Sequence, residues 1–190
     1  MEKEFIDIDS KREELIRNSR DVIRLSGQAI IHIHSKQIID GEKKLKLAEK
    51  KLRHLQKIGK GGLFKHISVA EQEFVEGMSL LCISKNLELP LAKKLKISNS
   101  SYITGLLDCI GEMKRMVFDK IRQGDISEAN NIFDTMQKIY ELIFPFAEFD
   151  KVIPGIRKKT DVARTLIESV RVTITEESRR NEMIKKLNKK

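Results

Sequence analysis

Apolar residues recur three and four positions apart along almost the whole of this chain, and little interrupts them: three prolines and ten glycines in 190 residues. Alternating β-branched stretches, which mark half-buried strands, are scarce. A period of about 3.6 presents a continuous apolar stripe only on a helix, so the pattern predicts an all-α fold. A chain of 190 residues can bury a core without disulfide or metal staples, and the expectation is one domain over residues 1–190, a bundle of about six to seven helices.

The boundaries follow from capping and breaking residues. Asp9 or Ser10 is suited to cap a first long helix carrying Leu15, Ile16, Val22, Ile23, Ile30 and Ile33, with Gly41 marking its end or a junction. GEKKLKLAEKKLRHLQKI places Leu45, Leu52, Leu55 and Ile58 on one stripe among lysines, an amphipathic surface helix. The glycines of KIGKGGLFK break the chain, and Ser68 is suited to cap a third helix reaching Leu87. Residues 88–100, with Pro90, read as a loop. A fourth helix runs from Tyr102 to Gly124, and a fifth, capped by Asp125 or Ser127, runs to Phe144 before Pro145. Pro154 leads a last helix toward Arg179, and NEMIKKLNKK (181–190) reads as a frayed basic tail.

Charge and cysteine usage narrow the setting. Lys and Arg number 37 against 28 Asp and Glu, a net charge of +9 that favours nucleic acid or another polyanion as partner. Cys82 and Cys109 sit in apolar runs as small buried hydrophobes, which suits a reducing, cytoplasmic setting. No apolar run is long enough to span a membrane, and the charged start MEKEFIDIDSKREEL lacks a signal-peptide core, so a soluble protein is expected.

Against this basic background, four carboxylates stand out. Glu73 and Glu76 in QEFVEG share a helix side with Leu80, Ile83 and Leu87, where acids cost free energy unless something pairs them. A hard divalent cation such as Mg²⁺ would neutralise both through oxygen ligands. Asp108 and Glu112 in GLLDCIGEMKRM lie off the stripe formed by Ile103, Leu106, Leu107, Ile110, Val117 and Ile121, and taken alone look solvent-facing. By spacing alone, each pair also suits an ordinary solvated helix face.

The flanks of these acids carry more information. The chain resembles the translin superfamily, and within it the catalytic branch of translin-associated protein X. The likeness runs through REELIRNSRDVIRLSGQAIIHIH, QEFVEG, YITGLLDCIGEMKRM, GDISEA and IRKKTDVARTLIESVRVTI. Glu73 and Glu76 match the two glutamates of the family's QEYVEA-like motif, and Asp108 and Glu112 match the acids of its G-x-x-D-x-x-G-E motif. Gly77 stands where Ala is usual, and the long insertion of the animal members between the two motifs is missing.

The resemblance implies a translin-like bundle assembled into a hollow oligomer, and cleavage of single-stranded RNA within it. Glu73, Glu76, Asp108 and Glu112 would be both the metal ligands and the catalytic residues, holding Mg²⁺ or, in its place, Mn²⁺. The short form is similar to the simpler prokaryotic, archaeal-type members, which implies a homo-oligomer of six to eight subunits; animal members work with a non-catalytic translin partner. Arg17, Arg20 and Arg24 on one helix stripe, Lys60, Lys65 and His66 before the acidic helix, and Arg115 beside Glu112 are the candidate RNA contacts. With five per cent aromatics and no Trp, recognition of RNA or single-stranded DNA should be mainly electrostatic. Two other readings fit the same residues: a non-catalytic nucleic-acid scaffold of the translin type, and an all-α nucleoside triphosphate pyrophosphohydrolase.

Overall fold

The protein's structure, a computed structural model, describes residues 1–188. Among these residues it is all-helical: α1 (Glu2–His34), α2 (Ile38–Ile58), α3 (Ser68–Ser84), α4 (Ala92–Leu95), α5 (Asn99–Arg122), α6 (Ile126–Ile143) and α7 (Ile156–Leu187), with 3₁₀ segments at Gly61–His66 and Phe144–Phe149. None of the described helices is long and apolar enough to cross a membrane.

The described chain divides into two compact units, Met1–Leu106 and Leu107–Lys190, with the boundary inside α5. In the first, α1, α2 and α3 pack pairwise around Leu15, Val22, Ala29, Leu45, Leu52, Leu55, Phe74 and Leu80. Of the predicted stripe of α2, Leu45, Leu52 and Leu55 are buried and Ile58 is half-buried, so the lysine-rich remainder faces water. In the second, α6 packs on α7 and on the Phe144–Phe149 segment, and Ile110, Met113, Val117, Met136, Ile156 and Val170 are buried. Cys82 and Cys109 are buried free thiols, and burial raises the Cys82 pKa above the ordinary thiol range.

Several boundaries differ from those read in the sequence. Helix α1 starts at Glu2, with Asp9 and Ser10 inside it. Glu2 and Glu4 complement the dipole of its first turn, and Lys11 pairs with Asp7 at 2.5 Å, so the local capping signal at Asp9 is outcompeted. Gly41 lies within α2 and is buried; a Cβ there would sit 3.0 Å from Ile33 Cγ1 and 3.2 Å from the Ala29 carbonyl oxygen, so it permits close α1–α2 packing rather than ending a helix. The turn between α1 and α2 is made by Lys36 in the left-handed region at φ 62°. Ser68 does not cap α3 from outside; it is the first helical residue, and its hydroxyl donates back to the Lys65 carbonyl. Residues 88–100 are not wholly loop: Ala92–Leu95 forms α4, Leu95 and Ile97 are buried, and α5 already begins at Asn99 rather than at Tyr102. NEMIKKLNKK is helical to Leu187, with lysines in the last turn where the dipole favours them; residues 189–190 lie outside the described residues. Asp125 caps α6 as predicted, accepting from the Glu128 amide at 3.1 Å.

Candidate metal centre and nucleic-acid interface

QEFVEG falls in the middle of α3, where Phe74 and Val75 are fully buried and Glu73 and Glu76, one turn apart, are half-buried. Neither glutamate is without a partner. The helix is held in place by a residue that the sequence did not single out. Glu71, only 2 % exposed, accepts from Gln56 Nε2 of α2 at 2.7 Å and from the Ser98 hydroxyl at 2.9 Å. Ser98 Oγ also accepts from the Ser101 amide at 3.2 Å in the first turn of α5. One buried carboxylate thus ties the start of α3 to α2 and to the start of α5, through hydrogen bonds to a charged group worth about 1.5–3 kcal/mol each. Its signal was available: Glu71, Phe74, Val75 and Cys82 share the buried face of α3, and an acid on such a face needs hydrogen-bonding partners.

The second motif opens on Gly105, where α5 reaches the backbone of α3: a Cβ there would lie 2.7 Å from the Gln72 carbonyl oxygen. Beyond it, in the second unit, Leu107, Cys109, Ile110, Met113 and Val117 form the buried face of α5, with Asp108 and Glu112 half-buried beside it. Asp108 does not simply face solvent. Lys159 of α7 reaches both its oxygens at 2.5 Å, with both side chains 32 % exposed. No sequence pattern signals this pair, since the two residues are 51 positions apart. Glu112 also has a partner. Arg115 is exposed and forms no ion pair among the described residues, while Lys114 lies 5.5 Å from the centre of the Phe118 ring.

The acids thus occur as one pair in each unit, and among the described residues neither unit gathers three or more His, Cys, Asp or Glu side chains able to hold a metal. The donor chemistry nonetheless suits Mg²⁺. Every donor is a carboxylate oxygen, Mg²⁺ is commonly bound by one or two carboxylates plus waters or phosphates, and Asp108 already draws a cation to both its oxygens.

Apart from Arg115, the basic candidates lie in the first unit. Arg17, Arg20 and Arg24 are exposed along α1, and Ser19, buried between Arg17 and Arg20, donates to the His66 carbonyl at 2.8 Å. That bond pins the segment carrying Lys60, Lys65 and His66 onto the same stretch of α1. Lys51 reaches the Asp21 carboxylate at 2.9 Å and Arg24 pairs with it at 3.1 Å, and these two cations, Lys51 foremost, lower the Asp21 pKa below the usual range. Arg17 and Arg20 form no ion pair among the described residues, so they are the uncompensated charges of the stripe. His32 Nδ1 lies 2.6 Å from Gln37 Oε1.

The comparisons with known proteins agree with this architecture. The sequence profile of the Translin family matches residues 63–173, which include both acidic motifs. An uncharacterized protein of Methanocaldococcus jannaschii is 32% identical over 163 residues, 84% of this chain and 73% of that protein. Among solved structures, AfC3PO in a complex with duplex RNA superposes with a TM-score of 0.85 at 28% identity, covering 93% of this chain and 94% of that one. AfC3PO in its own crystal structure gives a TM-score of 0.83 at 29% identity over the same shares. Apo-NeC3PO, at 18% identity and a TM-score of 0.82 over 93% of this chain and 94% of its own, supports the fold. On the profile match and the identity to the Methanocaldococcus protein, the chain belongs to the Translin family.

Proposed function

We propose that this protein is a Mg²⁺-dependent endoribonuclease that binds RNA along the basic face of α1 and cleaves it with the carboxylates of α3 and α5. The observation that carries the reading is the half-burial of all four motif carboxylates, Glu73, Glu76, Asp108 and Glu112, beside apolar neighbours on α3 and α5, where an acid costs free energy unless it is paired. The similarity to AfC3PO, solved with duplex RNA, supports RNA as the ligand class. Glu73, Glu76, Asp108 and Glu112 would hold the metal, each supplying carboxylate oxygen. Bound Mg²⁺ supplies charge neutralisation at a phosphate oxygen and a lowered pKa for an attacking water. Arg17, Arg20, Lys60 and Lys65 bind the phosphate backbone without reading sequence. A hollow homo-oligomer, as the resemblance implies, would enclose the RNA.

A second reading, a non-catalytic RNA-binding scaffold, is favoured by one observation: Lys159 already satisfies Asp108, and neither unit gathers a three-acid group among the described residues. One experiment separates the two. Labelled single-stranded and duplex RNA are incubated with the purified protein in Mg²⁺ or EDTA, alongside Glu76→Ala and Asp108→Asn. Fragments that need Mg²⁺ and vanish in both variants, with RNA binding retained, establish the nuclease. Intact, bound RNA under every condition establishes the scaffold.

A further inference from the structure

Lys159 sits where a helix does not favour a cation. Ile156, Arg157, Lys158 and Lys159 open α7, and no acidic residue lies in that first turn to complement the positive end of the macrodipole. Its backbone is fixed there, with the Lys159 amide donating to the Gly155 carbonyl at 3.1 Å and the next residue, Thr160, buried. The Asp150 carboxylate complements that helix end from outside, accepting from the Arg157 amide at 3.1 Å, while the Lys159 ammonium itself is met by both oxygens of Asp108.

Resting on the metal-site reading above, we infer that Lys159 is the resident counter-ion of Asp108, a positioning residue that a divalent cation must displace. An ammonium that faces both oxygens of a carboxylate competes with a metal ion for them, because two positive charges would share one site. Lysine suits the exchange: its charge sits on a flexible four-carbon stem and forms no fixed fork, so it holds the carboxylate in place and can still swing away. An arginine in its place would grip Asp108 with two parallel hydrogen bonds and release it less readily.

The test is Mn²⁺ binding by the full-length, RNA-free protein, followed by electron paramagnetic resonance and calorimetry in wild type, Lys159→Met, Lys159→Arg and Asp108→Asn, each checked for helicity by circular dichroism. Removing a competing half-exposed ion pair should tighten Mn²⁺ binding by roughly three- to fivefold in Lys159→Met, while Lys159→Arg weakens it by a similar factor and Asp108→Asn weakens it more than tenfold. A merely structural lysine would give the opposite order, with Arg close to wild type and Met worse. Weaker or unchanged binding in Lys159→Met at wild-type helicity overturns the inference. If that variant does not fold, unchanged or tighter binding in Lys159→Arg overturns it instead. Mn²⁺ binding that ignores Asp108→Asn, or no binding by wild type, overturns the metal-site reading itself, so the two failures are distinct.

Discussion

Gly105→Ala puts the packing of the two acidic motifs to a direct test. The added methyl carbon would lie 2.7 Å from the Gln72 carbonyl oxygen, 2.8 Å from Val75 Cβ and 3.0 Å from Val75 Cγ1. Favourable carbon contacts lie at about 3.5–4.0 Å, so the shortfall is close to an ångström. Two of the three atoms belong to the α3 backbone or are bonded directly to it, and no rotamer change moves them. The helices must slide apart or bend, at an overpacking cost of about 1–3 kcal/mol, toward the upper end here. Alanine's better helix propensity returns only about 0.8–1.0 kcal/mol. The clash wins, leaving a net loss of about 1–2 kcal/mol and a fall in Tm of about 2–8 °C. Two neighbours provide controls. At Gly77 the closest atom is Leu45 Cδ2 at 2.9 Å, the movable end of a side chain, so Gly77→Ala should stay within about 0.5 kcal/mol of wild type. At Gly111 the nearest atom is Leu166 Cδ1 at 4.0 Å, so Gly111→Ala should be stabilising by up to about 1 kcal/mol. Urea unfolding of the three variants gives the order directly. A Gly105→Ala protein as stable as wild type would refute the close approach of α5 to α3.

Two further expectations concern charge. The Glu42 pKa is lowered from its ordinary 4.5 to about 2, first by the hydrogen bond from Lys85 and then by Lys46. A depressed carboxyl stabilises the fold above its unfolded pKa, so this contribution, at most about 1 kcal/mol for so accessible a group, should fade as pH falls from 4.5 toward 2; urea midpoints against pH should lose that part of their slope in Glu42→Gln. Replacing Arg17 or Arg20 with Ala should reduce the salt slope of single-stranded RNA binding by about 0.7 each, whereas Arg24→Ala, already paired with Asp21, should reduce it less; equal effects at all three positions, measured by titration at several ionic strengths, would contradict the assignment of Arg17 and Arg20 as the open charges.

What the sequence disclosed was the local physics. The buried stripe of α2 and the Asp125 cap were legible because each depends on residues a few positions apart. The start of α1 was not, because several weak side-chain pairs together outweighed the stronger-looking cap at Asp9 or Ser10. Both acidic pairs were found on their helices, and Glu73 and Glu76 do lie half-buried beside apolar neighbours. The solvent-facing view of Asp108 missed Lys159, since a contact spanning 51 residues leaves no mark on periodicity. Glu71 was the opposite case: its helical position announced burial, but its two neighbours in the acidic run drew attention away.

The hydrogen bonds around Glu71 also bear on how this chain tolerates change in length. The connection between α3 and α5 is fastened at both ends. Lys85 reaches Glu42 of α2 at 2.5 Å, and at the far side Gln56 donates to the Lys96 carbonyl at 2.8 Å while Ser98 donates to Glu71. Between these posts, Asn86 turns through the left-handed region at φ 53°, and Leu87 and Leu91 are open to solvent. Extra residues added to a surface loop cost only slowly growing closure entropy, about 0.6 kcal/mol per doubling of length. Residues 86–91 therefore form a splice point at which related chains can gain or lose whole segments, while the acidic helix on one side and its partner motif on the other keep their register.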